Sequence, residues 1–431
     1  MSKKLIVGVM TGNSMDSIDL VLTEFSGEKI HDICSYSVPY SVEQKRQIDN
    51  LRFMVTSKKI TAGELVKDTE FLNIHDDYIN GIAYAINTMF CIFGINIKNV
   101  DAVGLHGKTL DHNPPSIAVK NGIYPYTTQM GSAQMLANLL NIPVINDFRS
   151  EFVMNGYEGA PLIAPHNAHI AKLEGDGCYF NGGNTSNLAW ICNNQAQISW
   201  DAGPFNEYID SFMLKYKNIN MDFDAQYGLN GKLLPELAEY LFDINKEFYE
   251  QKPPKSGDPS YYATKSIFEY IESKYGNPAI NEELFCDCVH SFEYFAAYLA
   301  YFAVAQTPEK ISVMPRFLLF GGGWKNPLVK KYFTELAQGS GYVMERHKSM
   351  FRQLQKRLGE KVEIKYSDFG VYMEARLFAD MAYYKLQGKY WPLPELQGDK
   401  ICAGTIRYPN GDKINDYLSR AAYGWKKVGR V

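Results

Sequence analysis

Three short stretches of glycine and small polar residues stand out: residues 11–17 (Thr-Gly-Asn-Ser-Met-Asp-Ser), 181–187 (Asn-Gly-Gly-Asn-Thr-Ser-Asn) and 321–323 (Gly-Gly-Gly). Phosphates are held by main-chain N–H groups, which demands loops free of bulky Cβ substituents and tolerant of positive φ. None of the three matches GxxxxGK[ST] or GxGxxG, which disfavours P-loop and dinucleotide-fold binding. A single glycine turn usually just connects strands. Three of them, each after a buried apolar run, fit a nucleotide site to which two domains each bring a hairpin, with the third turn near the nucleoside. Several side chains add chemistry. Asp201, after the apolar run 196–200 and before Ala202-Gly203-Pro204, reads as a general base or as a turn-forming Asp. Asp16 reads on its own as the acid of an Asx-turn within its loop. His106 reads as a hydrogen-bonding group at a strand end. Arg149 offers a fork for a carboxylate, or pairs with Asp147 or Glu151. Glu374, on a helix, reads on its own as a solvated helix carboxylate.

The elements that must carry these residues are legible in outline. Leu5–Met10 and Ile18–Phe25 read as strands flanking the first loop. Gly177–Phe180, Leu188–Cys192 and Ala196–Trp200 read as strands around the second. Helical patterns run over 41–57, 64–93, 134–140 and 372–386, and further strands over 100–105, 143–146 and 316–320. The chain thus presents strand, polar loop and strand at the head of each half, and long helices mix with strands throughout. This is an α/β architecture. The expected division is residues 1–147, joined by part of 390–431, and 148–389, with an insertion near 339–361.

At 431 residues the chain is too long for one ordinary core. Its 46% apolar and 21% charged residues mark a folded protein, and a formal charge of −4 argues against nucleic acid or anionic membrane as partner. The seven cysteines are scattered and odd in number, which fits reduced thiols in the cytoplasm. The richest apolar run, 292–305, carries Glu293 and is read as a buried helix rather than a membrane span. Cys286-Asp287-Cys288-Val289-His290 has metal-binding residue types but no second cluster at zinc spacing. The basic segment 346–361 reads as a surface amphipathic helix. Asp222, Asp224, Glu207 and Asp210 contain the residue types of a glycosidase pair without fixing any separation.

These motifs, in order, resemble those of the anhydro-N-acetylmuramic acid kinases. Residues 12–19 (GNSMDSID) are similar to GTSMDGxD, 104–109 (GLHGKT) to GxHGQT, 129–131 to QxG, and 143–149 (PVINDFR) to PVVxDFR. Gly159-Ala160-Pro161-Leu162 resembles GAPL, Asn181-Gly182-Gly183 resembles NxGG, and residues 201–206 resemble DxGPxN. Residues 253–256 (PPKS), 321–327 (GGGWKNP) and 374–379 (EARLFA) complete a collinear set. Asn13, Ser17, Lys108 and Ala202 depart from the pattern.

The resemblance implies a two-domain actin-like, ribonuclease H-like fold with mixed central sheets and an interdomain cleft. It implies an ATP- and Mg²⁺-dependent enzyme that opens a 1,6-anhydro sugar with water and phosphorylates O6, with a homodimer as a possible assembly. Asp201 would be the catalytic base. Met15, Asp16, His106, Arg149 and Glu374 would meet the sugar, with Asp16 and Glu374 toward the metal. Gly12, Asn13, Ser14, Met15, Asp16, Ser17, Ile18 and Asp19 would line ATP, together with Gly182, Gly183, Gly203, Gly321, Gly322 and Gly323.

Overall fold

The computed structural model describes residues 3–12, 17–57, 59–257, 263–359, 361–370, 372–412 and 414–424. The chain forms two compact units, residues 1–166 with 372–431, and residues 167–371. Residues 148–166 and the helix Met373–Leu386, which the sequence pattern groups with the second half, belong to the first unit.

In the first unit, β1 (Lys4–Met10), β2 (Ser17–Ser26) and β3 (Lys29–Pro39) form an antiparallel meander. β4 (Ala102–Leu105) pairs with β1 in parallel. β5 (Lys108–Asn113) and β6 (Tyr126–Met130) make a separate hairpin, and β7 (Val144–Asn146) lies parallel to β4. The second unit repeats the plan. β8 (Gly177–Gly182), β9 (Thr185–Cys192) and β10 (Gln195–Pro204) form a meander, β11 (Arg316–Phe320) runs parallel to β8, and β12 (Glu363–Tyr366) runs parallel to β11. Both sheets therefore contain the order 3-2-1-4-5, three antiparallel strands followed by two parallel ones. That shared topology is the ribonuclease H-like arrangement expected of an actin-like protein. It also turns the repeated strand–loop–strand pattern of the sequence into a repeated fold.

Two local expectations are corrected. The stretch 181–187 is not loop throughout, because β8 runs to Gly182 and β9 starts at Thr185, leaving Gly183 and Asn184 as the turn. Asp201 does not end its strand, since β10 continues to Pro204 through an irregularity between Asp201 and Gly203.

Each unit has its own apolar core. In the first, Gly8 and Gly104 make a smooth bed on β1 and β4 for the helix Met373–Leu386. A Cβ on Gly8 would lie 1.8 Å from the Ala375 carbonyl oxygen, and one on Gly104 would lie 2.1 Å from that of Phe378. The small residues of EARLFA answer those glycines, so backbone meets backbone. In the second unit the helix Glu282–Ala305 is buried nearly all round, the mark of a central core helix rather than a surface one. No helix among the described residues is long and apolar enough to cross a membrane. The basic helix Lys348–Leu358 sinks Phe351, Leu354 and Leu358 into this core, as its amphipathic pattern predicts.

The chain's tail returns to the first unit. β13 (Thr405–Arg407) pairs antiparallel with β7. Further on, the Ser419 N–H donates to the Gln129 carbonyl and the Ser419 hydroxyl to that of Thr127. Asp416 accepts from the Gln134 N–H at 3.0 Å and from the Ser132 hydroxyl, at the start of the helix Ala133–Leu140.

Candidate active site

In the second unit, Asp201 is 7% exposed and is held from a distant loop. Its Oδ2 accepts from the Ser256 hydroxyl and from the Gly257 N–H, both at 3.0 Å, while its own N–H donates to the Lys255 carbonyl at 2.9 Å. The PPKS motif thus orients this carboxylate. Lys255 anchors the loop from below, with its Nζ donating to the carbonyls of Phe248 and Tyr249 and to Gln306 Oε1. Burial pulls Lys255 down to about 7, against the opposing pull of the Asp201 charge. Ser256, Gly257 and Lys255 are the positioning groups that sequence reasoning missed. The PPKS run was the available signal, but it carries no chemistry until its contact with Asp201 is seen.

The glycine elements of this unit meet one another. A Cβ on Gly321, where φ is +94°, would sit 2.6 Å from Asn181 Oδ1, and one on Gly323 would sit 2.5 Å from Phe205. A Cβ on Gly182 would strike Phe205 and the Trp324 indole at 2.8 Å. Gly203, with φ of +138°, approaches Leu299 and Tyr249 in the same way. These glycines allow the 183–184 turn, the 203–206 segment and the 321–323 turn to come together. The Phe205 N–H donates to the Asn184 carbonyl and the Asn206 N–H to that of Gly183. Gly183 spends its own N–H on the Thr185 carbonyl at 3.3 Å. Gly322 differs, because a Cβ there meets nothing within 4 Å.

In the first unit, Asn13, Ser14, Met15 and Asp16 lie outside the described residues. Gly12 follows β1, and its carbonyl accepts from Lys108 Nζ at 2.9 Å. Ser17 opens β2, and its hydroxyl donates to Asp19, as does that of Ser37. The Ile18 side chain belongs to the core. Near the ends of β4 and β7, Arg149 Nε donates to His106 Nε2 at 3.0 Å, and its Nη1 donates to the Gly159 carbonyl at 2.7 Å. The acceptor role of Nε2 assigns the His106 proton to Nδ1. His106 stacks on Phe378, with ring centroids 4.5 Å apart. Burial, followed by the Arg149 and Lys108 charges, holds its pKa well below the ordinary histidine value, so the ring is neutral. Lys108 and Arg149 thus flank a neutral imidazole, a setting that favours an anion. The acids beside Arg149 are engaged elsewhere: Arg420 of the tail pairs with Asp147 at 2.7 Å and with Glu151 at 2.9 Å. Glu374 stands in the first turn of the helix Met373–Leu386, half-buried.

Other acid and thiol groups resolve as structure. Asp222 accepts from the N–H groups of Tyr227 and Gly228, and Glu207 accepts from Asn184 and Ser211. Cys286 and Cys288 are buried in a helix, and all seven cysteines are free thiols. Among the described residues no three His, Cys, Asp or Glu side chains gather as a metal cluster.

The duplicated ribonuclease H-like fold, with close-packed glycine turns and a clamped strand carboxylate in its second unit, is that of the actin and sugar-kinase class. More particularly, the chain belongs to the anhydro-N-acetylmuramic acid kinase family, whose model matches residues 4–389. A relative so named from Vibrio vulnificus is 25% identical over 411 residues, covering 95% of this chain and 99% of the relative. One from Paramagnetospirillum magneticum is 27% identical over 400 residues, covering 91% and 96%. Among solved structures, similarity extends to a ROK family glucokinase from Streptomyces griseus in complex with glucose and AMPPNP. It has 14% identity and a TM-score of 0.35, over 88% of this chain and 98% of that one. An activator of the 2-hydroxyisocaproyl-CoA dehydratase from Clostridium difficile matches with 10% identity and a TM-score of 0.41, over 92% and 99%.

Proposed function

We propose that this chain is a cytoplasmic ATP-dependent kinase that opens 1,6-anhydro-N-acetylmuramic acid with water and phosphorylates it at O6. The observation that carries the reading is the orientation of Asp201 by Ser256 and Gly257 within a chain of this family. Asp201 takes a proton from water as the water oxygen bonds to the anomeric carbon. The bond from that carbon to O6 breaks, and O6 accepts the γ-phosphoryl group as ADP leaves. Clamping one carboxylate oxygen fixes the direction of the base, and that direction governs how well the attack is aligned.

Arg149 and Lys108 supply positive charge beside His106. A guanidinium fork suits the lactyl carboxylate of a muramic acid, and a neutral His106 with its proton on Nδ1 suits a sugar hydroxyl. Mg²⁺ would be held mainly by phosphate oxygens and water, with Asp16 and Glu374 as protein contacts. When bound, the metal neutralises charge developing on the transferred phosphoryl group. A coupled ADP-release assay over anhydro sugars with and without the lactyl group tests the assignment. Turnover confined to sugars lacking that carboxylate would refute it.

Two further outcomes follow from the site. Gly322→Val is expected to weaken ATP binding by about tenfold or more while leaving the unfolding midpoint unchanged, because of the three glycines in this turn Gly322 alone has open space for a new side chain. Unaltered ATP affinity in titration calorimetry would remove this turn from the nucleotide site. Arg420→Ala is expected to free Asp147 and Glu151 to compete for Arg149. The KM for the carboxylated sugar should then rise several-fold with little change in the KM for ATP. Equal loss for both substrates would show general damage to the unit instead.

A further inference from the structure

Glu293 sits in the middle of the helix Glu282–Ala305 with no solvent exposure. Its Oε1 accepts from the Asn326 side-chain amide, and its carboxyl lies within hydrogen-bonding reach of the Asp222 carboxylate. Oε2 presses against Gly228, where an added Cβ would come within 1.8 Å of it. No Lys or Arg pairs with Glu293 among the described residues.

The groups around it offer no positive charge. Asp222, on the turn beneath, is a carboxylate that accepts from two backbone N–H groups. His290, one turn earlier on the same helix, donates from Nδ1 to the Gly228 carbonyl at 2.7 Å and accepts at Nε2 from the Tyr332 hydroxyl at 2.6 Å. Burial lowers its pKa below the ordinary histidine value, which keeps the ring neutral and makes Nε2 the acceptor. Tyr332 comes from the helix Pro327–Ala337, and Lys331 beside it acts on His290 only as a nearby charge. Burial, and then the charge of Asp222, lifts Glu293 to about 9 against the Asn326 bond.

Asn326 is the hinge of the next element. Its Oδ1 caps the helix Pro327–Ala337 by accepting from the N–H groups of Leu328 and Val329, and its own N–H donates to the Gly323 carbonyl. Asn326 thus joins the core helix and the helix behind the turn through its side chain, and the glycine turn through its main-chain N–H.

We propose that Glu293 is a positioning residue for the nucleotide turn: through Asn326 it holds the Gly321–Gly323 turn in place while its carboxyl is neutral, and an ionised carboxylate buried beside Asp222 forces the surrounding segments apart and loosens that turn. The proposal rests on the assignment of residues 321–323 to ATP. An ionised Glu293 would be a buried charge facing Asp222 without a cation, so the surrounding segments must separate to admit water. The sign follows from linkage. The folded state keeps a proton that the unfolded chain sheds near the ordinary carboxyl value. The associated stability is complete below that value and is lost as pH rises through about 9.

The test is the affinity of the full-length protein for a non-hydrolysable ATP analogue between pH 7.5 and 10, in wild type, Glu293→Gln and Glu293→Ala. Wild-type affinity should fall about tenfold one pH unit above the titration midpoint. Glu293→Gln, which keeps an acceptor for Asn326 and has nothing to ionise, should hold the pH 7.5 affinity throughout. Glu293→Ala should bind weakly at every pH. A fluorinated Trp324, assigned by loss of its resonance in Trp324→Phe, gives an independent wild-type readout and should shift with the same alkaline midpoint. An alkaline loss in Glu293→Gln equal to that of wild type overturns the proposal alone. Failure of wild type to bind the analogue at pH 7.5 overturns it together with the nucleotide assignment.

Discussion

Asp201→Asn is expected to lower the rate of phosphoryl transfer by about 10²–10⁴-fold while ATP binds as before, since general-base help of this kind is worth that range. The amide oxygen can still accept from Ser256 and Gly257, so the strand and the 253–257 loop should keep their places. What disappears is the ability to take a proton from water. Single-turnover transfer and analogue titration, run side by side, separate the two effects. Near-normal transfer in the variant would exclude Asp201 as the base. A parallel loss of ATP affinity would make it a structural residue of the second unit.

The second large effect is on folding. Gly8→Ala places a methyl 1.8 Å from the Ala375 carbonyl oxygen and 2.7 Å from its carbonyl carbon, both backbone atoms of a buried helix. No rotamer relieves a Cβ, so the helix Met373–Leu386 has to lift from β1. Overpacking of this kind costs about 3 kcal/mol or more, a large share of the roughly 5–15 kcal/mol that keeps a domain folded. Urea unfolding followed by hydrogen exchange should show early loss of protection in β1, β2 and β4. The 178–358 core should stay protected. An unshifted first-unit transition would mean that the sheet can flex away from the helix, contrary to the close packing seen here.

Much of this was readable beforehand because it is local. β1, β2, β11 and the 373–386 helix follow from hydrophobic periodicity, and the glycine turns follow from composition. What sequence pattern misread was set by distant partners. Asn181 and Asn187 look like loop residues, yet they face each other across β8 and β9 because the ladder extends around a minimal turn. Asp201 looks like a strand terminator, yet it stays in β10 because the donors that satisfy its carboxylate arrive from residues 256 and 257. Arg149 was balanced between a ligand and a pair with Asp147 or Glu151. Only the return of Arg420, far along the chain, shows those acids engaged elsewhere. Glu293 was visible as an oddity in an apolar run, but its partner Asn326 lies in another element.

The first unit is discontinuous: the strands that make its sheet come early, while β13, Arg420 and the helix that covers Gly8 and Gly104 come last. On the ribosome, the β1–β4 sheet therefore emerges with one face bare, whereas residues 167–371 are complete and able to close their own core before the covering helix emerges. The order of emergence lets the inserted half close its core before the outer half receives its covering helix. During that interval the two glycines mark an uncovered groove on the nascent sheet. A chain cut before residue 372 would carry that open face permanently, which places the hazard of aggregation in one half of the protein and at one stage of its making.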